Sequence, residues 1–424
     1  MTRSIVRAIV LPLLVLAAVS CGDRKEDSLR DVAYDAFIYA YPMIEQVKTV
    51  NAMVAFMGLE FNKPAMNPAL PWDNVGMPIV APNLTSMTGG ILLDLSQGPV
   101  TVEIPEVKDR YIVFQCIDAF THNFFYMGTR ATGGEGGRFA FYHKGQALPG
   151  GDATPVEVES DHLIIVVRID IADADEAELV RGIQNAIRVI DAPQSDRVYP
   201  VYDEEKQFSA AFVDYLNELL TEVPPGEAEL FARFARIGVF SDVDLSDEDL
   251  LEIQAGVDAA FEDIVETSQT LTALGNGWMG ATTLFGTREF LNDNYMARAV
   301  GANWGLWGNS KEEANYFMSF VEGEGEIIFG PDELPPLTDI GFWSITAHDE
   351  NVLVHKNPYD SYVITRDQMV FESDGSIVFK FSSEPEEGNW LYTPGGKMAI
   401  LIRAYQADPD RIEGYVPPAF TPQK

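Results

Sequence analysis

The segment IDAFTHNFFYMGTR, residues 117–130, concentrates the side chains of this sequence that are best suited to chemistry. If the segment is an extended strand, Asp118 and His122 lie on one face, because alternate residues of a strand share a face. A carboxylate beside an imidazole is the arrangement of a general base and the group that orients it. Arg130 would bind a carboxylate or a phosphate through two parallel hydrogen bonds. The segment therefore predicts a catalytic site formed by Asp118, His122 and Arg130.

The same residues also fit a structural role, and the sequence leaves both open. Asn123 and Tyr126 are candidates for ligand binding beside the catalytic residues, since an amide and a phenol can fix the orientation of a ligand. In the structural alternative, Asp118 pairs with Arg130 to hold a hairpin while Asn123 makes hydrogen bonds within the turn. Polar clusters of this kind often hold loops together without acting on a ligand.

Two tryptophans form a second candidate site. Trp343 in FWSITAH and Trp390 in NWLYTP could line an apolar groove in which a sugar or an aromatic ligand stacks. The alternative is that both rings pack in the hydrophobic core of β-strands.

No metal and no cofactor is expected from the sequence. It contains no HExxH, CxxC, P-loop or GxSxG motif. His348 and His355 flank a short turn and could face each other across a hairpin, but a metal site needs at least one further ligand. We therefore interpret these histidines as polar residues at the rim of a strand pair.

The N-terminus predicts a secreted lipoprotein. Two arginines precede an apolar run over residues 8–19, which is too short to span a bilayer comfortably. Small residues and Cys21 follow, which resembles the bacterial lipobox, where the cysteine carries the lipid. We expect residues 1–20 to be removed and the body to be anchored through Cys21 in the cell envelope, in the periplasm or at the cell surface. The alternative is an ordinary signal peptide that leaves a free thiol.

The charge balance excludes one class of partner. The chain has 65 acidic and 29 basic residues and a formal net charge of −36. Nucleic acid is a poor partner for such a body, and contact with a membrane is expected only through the lipid. The acidic residues are spread along the chain and lack the loop spacing of a calcium site, so we interpret them as a solvated surface suited to salty surroundings. The sequence does not fix the oligomeric state, and a homo-oligomer stays open.

Cys116 lies within the apolar stretch RYIVFQCIDAF. Because Cys21 is expected to carry lipid, no intramolecular disulfide is expected. A chain of this size can bury a large core without such a link. We interpret Cys116 as an inert buried thiol rather than a nucleophile, since no histidine or lysine is next to it in the sequence.

Hydrophobic patterning predicts an α+β protein with two antiparallel β-sandwiches, a helical middle segment and an N-terminal helix kinked at Pro42. Alternating runs such as VTVEIP indicate strands, and Ser246 followed by Asp249 resembles a capping box that begins a helix. The predicted segments are the signal peptide (1–20), a tether (21–29), the N-terminal helix with the first sandwich (30–172), the helical middle (173–302) and the second sandwich (303–424).

Two stretches of the chain resemble a family pair, the bacterial domain of unknown function 1254 followed by the domain of unknown function 1214. The first resemblance rests on AFIYAYPMIEQVKTVNAM and on PNLTSMTGGILLDLSQGPVTVEIPEVKDRYIVFQCIDAFTHNFFYMGTRATG. The second rests on FLNDNYMARAVGANWGLWGNSKEEANYF, on LPPLTDIGFWSITAHDENVLVHKNPYDSYVI and on NWLYTP. The resemblance implies jelly-roll-like sandwich domains and a secreted or lipid-anchored protein, and it implies no established activity.

This chain departs from the family pattern in places. Thr85 and Thr88 stand where the family usually has an aspartate and a tyrosine, and Ser361 stands where it has an arginine. Any chemistry that depends on that aspartate and tyrosine in relatives is lost or altered here.

Two hypotheses of function follow. The first is a metal-independent enzyme of the cell envelope that acts on a small organic molecule or a polymer fragment through Asp118, His122 and Arg130. The second is a lipoprotein without catalytic activity that binds a ligand or takes part in envelope assembly. The sequence does not decide between them, because catalysis needs convergent polar groups in a pocket and binding needs only the pocket.

Overall fold

The computed structural model describes residues 27–75, 81–354 and 356–423. Cys21, with the predicted signal peptide, lies outside the described residues, and so does His355. The predicted α+β architecture is confirmed: an N-terminal helix, a β-sandwich, a helical middle segment and a second β-sandwich follow one another along the chain. Among the helices of the described residues, none is both long and apolar enough to span a lipid bilayer.

The N-terminal helix, α1, extends over Leu29–Met57. It begins with a capping box in which the Ser28 hydroxyl accepts the backbone N–H of Asp31, and the Asp31 carboxylate accepts the backbone N–H of Ser28. It ends at Gly58, whose φ of 69° requires the left-handed conformation that glycine adopts without strain. Most of its middle is buried, and Pro42 lies inside it.

The first sandwich follows α1. Its strands are β1 (Lys63–Met66), β2 (Ser86–Asp94), β3 (Val100–Ile104), β4 (Ile112–Asp118), β5 (Asn123–Gly128), β6 (Gly137–His143), β7 (Thr154–Val158), β8 (His162–Asp170) and β9 (Arg188–Ile190). One sheet has the order β1-β2-β8-β4-β5 and the other the order β7-β6-β3-β9. All pairs in these sheets are antiparallel except β6 with β7.

Alternation explains how the two sheets of this sandwich meet. In β3, Val100, Val102 and Ile104 are buried while the residues between them are partly exposed. Their side chains enter a core shared with inward residues of β4 and β8, which belong to the opposite sheet. β4 is buried along both faces, because its outer face is covered by the rest of the molecule.

Most of the helical middle segment packs around α1. Its helices are α2 (Ala177–Ala186), α3 (Glu204–Gln207), α4 (Val213–Leu219), α5 (Ala228–Phe234), α6 (Asp247–Leu271), α7 (Arg288–Leu291) and α8 (Tyr295–Trp304). Of these, α2 packs instead against the core of the first sandwich. The capping box predicted at Ser246 and Asp249 is confirmed at the start of α6. Aromatic side chains join α1 to this segment, as in the edge-to-face contact of Tyr39 with Phe231 at 5.4 Å between ring centroids.

The second sandwich ends the chain. Its strands are β10 (Ala273–Gly275), β11 (Trp278–Gly280), β12 (Ala314–Glu322), β13 (Gly325–Phe329), β14 (Leu337–Asp349), β15 (Val363–Thr365), β16 (Ile377–Ser382), β17 (Asn389–Tyr392), β18 (Lys397–Ala407) and β19 (Thr421–Pro422), with helix α9 (Pro409–Ile412) before β19. The sheets have the orders β10-β11-β12-β18-β14-β15 and β17-β16-β13-β19. The short strands β9, β10 and β11 come from the middle segment, and they extend the sheets of the two sandwiches.

Candidate functional site

The predicted pair of Asp118 and His122 is formed, but within a tight turn rather than along a strand. β4 ends at Asp118 and β5 begins at Asn123, and Thr121 between them has a φ of 70°. One carboxylate oxygen of Asp118 accepts the backbone N–H groups of Phe120 at 2.9 Å and His122 at 2.8 Å. The other oxygen lies 3.2 Å from Nδ1 of His122. The prediction that Asp118 and His122 lie on one face of an extended strand was therefore wrong, because the chain reverses direction between them.

The surroundings of Asp118 fix its charge and the tautomer of His122. Burial alone would raise the pKa of Asp118, but the His122 ring, its backbone N–H and the charge of Arg288 hold that pKa below its ordinary value. Since an ionised carboxylate can only accept, Nδ1 of His122 must carry the hydrogen it donates. In a neutral ring, Nε2 then has a free lone pair. No hydrogen bond joins Nε2 to another of the described residues.

The turn is anchored to two other elements. The side-chain amide of Gln46 in α1 donates to the carbonyl oxygen of Asp118 at 3.2 Å, and the backbone N–H of Ala119 donates to the Ser160 hydroxyl at 3.1 Å. The position of Asp118 and His122 is thus set by the helical segment as well as by their own sheet. This geometry serves the structural role proposed for Asp118, since its carboxylate closes the turn.

Arg130 does not reach this pair, so the predicted catalytic triad is not formed. β5 separates Arg130 from the turn by six residues, or about 20 Å at the rise of a strand. Nε of Arg130 instead donates to the carboxylate of Glu313 at 2.6 Å. The alternative in which Asp118 pairs with Arg130 is wrong for the same reason. Burial raises the pKa of Glu313, although Arg130 opposes that effect.

Residues of the helical middle segment, rather than Arg130, lie next to the turn that contains Asp118 and His122. Glu227, just before α5, accepts hydrogen bonds from the hydroxyl groups of Tyr39 at 2.7 Å and Tyr295 at 3.1 Å. It also accepts from Nη1 of Arg288 at 2.7 Å. The guanidinium of Arg288 lies over the Phe120 ring in the turn, at 5.1 Å from its centroid. Arg288 therefore links the turn of the first sandwich to the Glu227 cluster.

Arg298 in α8 is the most unusual member of this cluster. Its side chain is only 3% exposed, and its Nε and Nη2 atoms have no hydrogen-bond partner among the described residues. The guanidinium lies over the faces of Tyr39 at 5.3 Å and Tyr295 at 5.7 Å, and forms no ion pair with any described carboxylate. Burial lowers the pKa of Arg298, and the charges of Asp118 and Glu227 act against that effect. Nη2 of Arg288 is also buried without a partner among the described residues.

A cavity of about 440 Å³ opens beside this cluster. Its lining includes Glu227, Arg288, Tyr295, Arg233 and Asp293. The Tyr295 ring contacts the Arg298 guanidinium with one face, and the Tyr295 hydroxyl donates to Glu227. Because Tyr295 also lines the cavity, this side chain connects the cavity to the guanidinium. We refer to Glu227, Arg288, Arg298, Tyr39 and Tyr295 together as the arginine cluster.

The sequence contained a weak signal for Arg298. In YMARAVGANW the arginine is the only charged residue of α8, among residues suited to burial. A single cation within an apolar helix indicates either a buried pair or a ligand. Glu227 and Arg288 carry no comparable local signal, because they lie far from Asp118 in the sequence.

Asn123 and Tyr126 contact the loop before β12 rather than a cavity. The side-chain amide of Asn123 donates to the carbonyl oxygen of Gly308 at 3.0 Å, and its oxygen accepts from Gln115 at 2.9 Å. The Tyr126 hydroxyl accepts the backbone N–H of Ser310 at 2.9 Å. These bonds hold the two sandwiches together, so the geometry favours a structural role for both residues.

Trp343 and Trp390 do not line a common groove, contrary to the prediction. Trp343 is buried between the sheets of the second sandwich, with its ring centroid 5.5 Å from that of Phe379. Trp390 is partly exposed, and in β17 it alternates with the inward-facing Leu391. Since neighbouring residues of a strand point to opposite sides, Trp390 points away from the core that Leu391 enters. Trp343 lies inside that core, so the two rings are on different faces of the sheet that contains β17.

The other predicted residues have simple surroundings. Cys116 is buried and unpaired, and burial raises the pKa of its thiol well above the ordinary value. Thr85 is buried and donates its hydroxyl hydrogen to the side chain of Asn83 at 3.0 Å. Three or more histidine, cysteine or carboxylate side chains do not meet at a metal-binding distance anywhere in the described part of the chain.

Comparison with known proteins confirms the family resemblance. Residues 61–191 match the family described as "Protein of unknown function (DUF1254)", and residues 322–409 match "Protein of unknown function (DUF1214)". The VPA0106 protein from Vibrio parahaemolyticus has the same fold, with a TM-score of 0.74 at 22% sequence identity; the alignment covers 94% of this chain and 100% of that protein. An uncharacterised protein from Burkholderia cenocepacia aligns with a TM-score of 0.44 at 14% identity, over 88% of this chain and 85% of that one. No curated protein matches the chain.

Proposed function

For a chain that pairs a DUF1254 match with a DUF1214 match, we propose the function of a lipid-anchored protein of the cell envelope that binds a small organic carboxylate at the arginine cluster. The observation that carries the proposal is the buried guanidinium of Arg298, whose Nε and Nη2 have no partner among the described residues. Those atoms lie outside the cavity lining and next to the Tyr295 ring, so a ligand in the cavity would accept hydrogen bonds from them after that ring moves aside.

The energetic argument concerns unmet donors. A donor buried without an acceptor costs about 1–3 kcal/mol, and native proteins rarely keep one without a reason. Arg298 has two buried donor atoms without partners, and Arg288 has one. A ligand oxygen that accepts these hydrogen bonds removes that penalty, and the free energy recovered in this way favours binding. Ordered water would meet the same need, and the experiment below separates the two.

A carboxylate suits this site better than a neutral acceptor. A guanidinium presents parallel N–H groups at the spacing of two carboxylate oxygens. The carboxylate of Glu227 is already occupied by Arg288 and by two phenols, so it does not compensate Arg298 directly. The cavity of about 440 Å³ beside Tyr295 is within the size range of small-molecule sites.

The test uses the full-length chain in detergent and a set of matched probes. Benzoate, succinate and citrate are compared with benzamide and succinamide by calorimetry and by the shift in melting temperature. Arg298→Met should weaken carboxylate binding at least about tenfold. The control Arg181→Met removes a partly exposed arginine of α2, away from the arginine cluster, and should leave binding unchanged. The proposal fails if the amides bind as tightly as the carboxylates, or if Arg298→Met binds as the unchanged chain does.

A second candidate function is an enzyme of the envelope, with His122 as general base. The observation that favours it is the hydrogen bond from Nδ1 of His122 to Asp118, which fixes the tautomer and leaves Nε2 as an acceptor. Arg288 contacts Phe120, which lies in the same turn as His122. A ligand at the arginine cluster would therefore lie close to the turn that carries His122. In this function His122 takes a proton from a nucleophile while the arginines hold an oxygen of the substrate.

Its test separates binding from turnover. Nitrophenyl esters of the acids that bind are offered as substrates, and release of nitrophenol is followed. His122→Gln should keep the affinity for the acid and lower the rate about a hundredfold or more. His143→Gln changes a histidine of β6 outside the cluster and should have no effect on either quantity. Equal rates in the two variants would leave binding as the function.

The anchoring of the protein rests on the sequence around Cys21. Cys21→Ser should prevent acylation and leave the chain unprocessed or released from the membrane. Incorporation of a palmitate analogue checks this, with Cys116→Ser as the control that keeps its label. Equal labelling of the Cys21→Ser variant would exclude a lipid on that residue.

A further inference from the structure

Among the described residues, two lysines lack an acidic partner, and both belong to the second sandwich. Every other described lysine has a carboxylate within 4.0 Å: Lys48, Lys63, Lys108, Lys144, Lys206, Lys311 and Lys380. Lys356 and Lys397 form no ion pair with the described residues, and both line one cavity of about 220 Å³. The two lysines outnumber the one carboxylate in the lining of this cavity, that of Asp349, and so leave a local excess of positive charge that favours an anion.

The floor of this cavity includes His348, which is almost fully buried. The Thr346 hydroxyl donates to the carbonyl oxygen of Leu401 at 3.2 Å and accepts from Arg403 at 3.3 Å. Nε2 of His348 lies 2.9 Å from the same hydroxyl. Burial and the charge of Arg403 lower the pKa of His348 to about 3, so the ring is neutral near pH 7. The backbone of Val352 acts against that lowering, while Nδ1 has no partner at hydrogen-bonding geometry among the described residues.

Aromatic side chains extend the cavity outward. Trp390 and Tyr392 point to the same outer face of β17, because they are two residues apart. Tyr359 is 41% exposed, and its ring centroid lies 5.3 Å from that of Trp390 and 5.9 Å from that of Tyr392. Tyr392 also lines the cavity, so the aromatic cluster and the lysines share one surface.

The loop that follows Lys356 is bonded to the aromatic strand β17. The Ser361 hydroxyl donates to the carbonyl oxygen of Trp390 at 3.1 Å and accepts the backbone N–H of Tyr392 at 3.2 Å. Asn357 closes the same loop by accepting from the backbone N–H groups of Tyr359 and Ser361. The position of the cavity lining is therefore set by hydrogen bonds within the second sandwich.

We propose that this surface, formed by His348, Lys356, Lys397, Tyr359 and Tyr392, binds an acidic saccharide. A sugar ring has an apolar face that stacks on aromatic rings, and a uronate adds the carboxylate that pairs with lysine. A sugar hydroxyl forms a hydrogen bond with Nδ1 of His348, which has no partner at hydrogen-bonding geometry among the described residues. The volume of about 220 Å³ accommodates one sugar unit, while further units lie along the exposed aromatic cluster. This site is separate from the arginine cluster and does not depend on it.

The experiment measures binding of uronate trimers to the full-length chain in a zwitterionic detergent that contains no sugar. Trimers of galacturonate, glucuronate and mannuronate are compared with neutral galactotriose and with inorganic phosphate, by calorimetry and tryptophan fluorescence. We expect at least one uronate trimer to bind at least about tenfold more tightly than galactotriose or phosphate. Its affinity should fall as salt is raised.

Two variants and a matched control complete the test. The double variant K356Q/K397Q should lose at least about tenfold in affinity, and Y359A should lose a similar factor at unchanged charge. The control K63Q/K108Q removes two exposed, paired lysines of the first sandwich and should bind as the unchanged chain does. The proposal is overturned if no uronate trimer binds, if phosphate or galactotriose binds equally well, or if K356Q/K397Q binds normally at an unchanged melting temperature.

Discussion

Arg298 and Arg403 are equally buried but differ in their surroundings. Arg298 is 3% exposed and Arg403 is 4% exposed, and burial lowers the pKa of both. Arg403 in β18 donates to the carbonyl oxygens of Ala81 at 2.8 Å and Pro82 at 3.1 Å, and to the Thr346 hydroxyl at 3.3 Å. For Nε and Nη2 of Arg298, the described residues supply no such acceptor.

This difference separates a guanidinium that supports the fold from one that is available to a ligand. The acceptors of Arg403 come from a segment 322 residues earlier in the chain, so this side chain fastens the first half of the protein to the second sandwich. Arg298 forms no such hydrogen-bonded link between distant segments of the described chain, although its burial carries a similar desolvation penalty. Stability measurements on the two regions therefore test the proposed function without a ligand.

The largest expected loss of stability is for a substitution of Arg130. This residue sharpens the comparison of the two buried arginines, because its partner Glu313 is more buried than Arg130 itself. The Glu313 side chain is 1% exposed and that of Arg130 is 32% exposed. Arg130→Ala leaves the Glu313 carboxylate buried, with the Tyr111 hydroxyl as its only side-chain donor among the described residues, which should lower the free energy of unfolding by about 3–5 kcal/mol. Denaturant unfolding checks this. Arg138→Ala, which removes an exposed arginine of β6, should cost about 1 kcal/mol or less. A small loss at Arg130 would mean that Glu313 is protonated or reached by water.

The next effect is at Arg403. Arg403→Met leaves the carbonyl oxygens of Ala81 and Pro82 without their donor, and this should lower the free energy of unfolding by about 2–3 kcal/mol. Because methionine fills much of the same volume, the loss reports the hydrogen bonds rather than a void. Chemical denaturation of the full chain gives the value. If Arg403→Met and Arg298→Met have the same effect, the distinction between the two arginines is wrong.

Much of the fold could be predicted from the sequence, because its signals are local. The alternation of VTVEI indicated β3, and Ser246 with Asp249 indicated the start of α6. The strands β10 and β11 were missed, since each has three residues and neither shows a periodic pattern. They are strands because they pair with β12 and extend its sheet, and that pairing is a tertiary contact.

The candidate site was predicted only where its contacts are local. Asp118 and His122 are four residues apart, so their pairing could be inferred from spacing. Glu227 and Arg288 reach the same region from distant segments, and no pattern near Asp118 points to them. Arg130 was included because it is close in sequence, but β5 carries it to the far end of the hairpin.

A smaller effect concerns pH in the region of Arg403. The pKa of His348 is about 3 in the folded protein and near 6.5 in an unfolded chain. Below pH 6.5 the unfolded chain therefore binds a proton that the folded protein does not, and stability falls as the pH falls toward 3. Between pH 6.5 and 5.5 this contribution is about 1 kcal/mol. His348→Gln should remove it, as seen in unfolding curves at several pH values, while His143→Gln should not. Identical pH dependence in the unchanged chain and His348→Gln would contradict the assignment.

The smallest expected change in stability is at Arg298, and it bears most directly on function. Arg298→Met removes a buried charge whose Nε and Nη2 have no partners among the described residues, and it leaves methyl and thioether groups against Tyr39 and Tyr295. Loss of the cation–π contacts lowers stability by about 1–2 kcal/mol, whereas relief of the desolvation penalty raises it by a similar amount. We therefore expect a free energy of unfolding within about 1 kcal/mol of the unchanged chain, and a gain is consistent with the proposal. A loss of about 3 kcal/mol or more would show that Arg298 supports the fold as Arg403 does. In that case ordered water or a contact of Nη1 already satisfies the guanidinium, and the carboxylate site would have to be sought elsewhere.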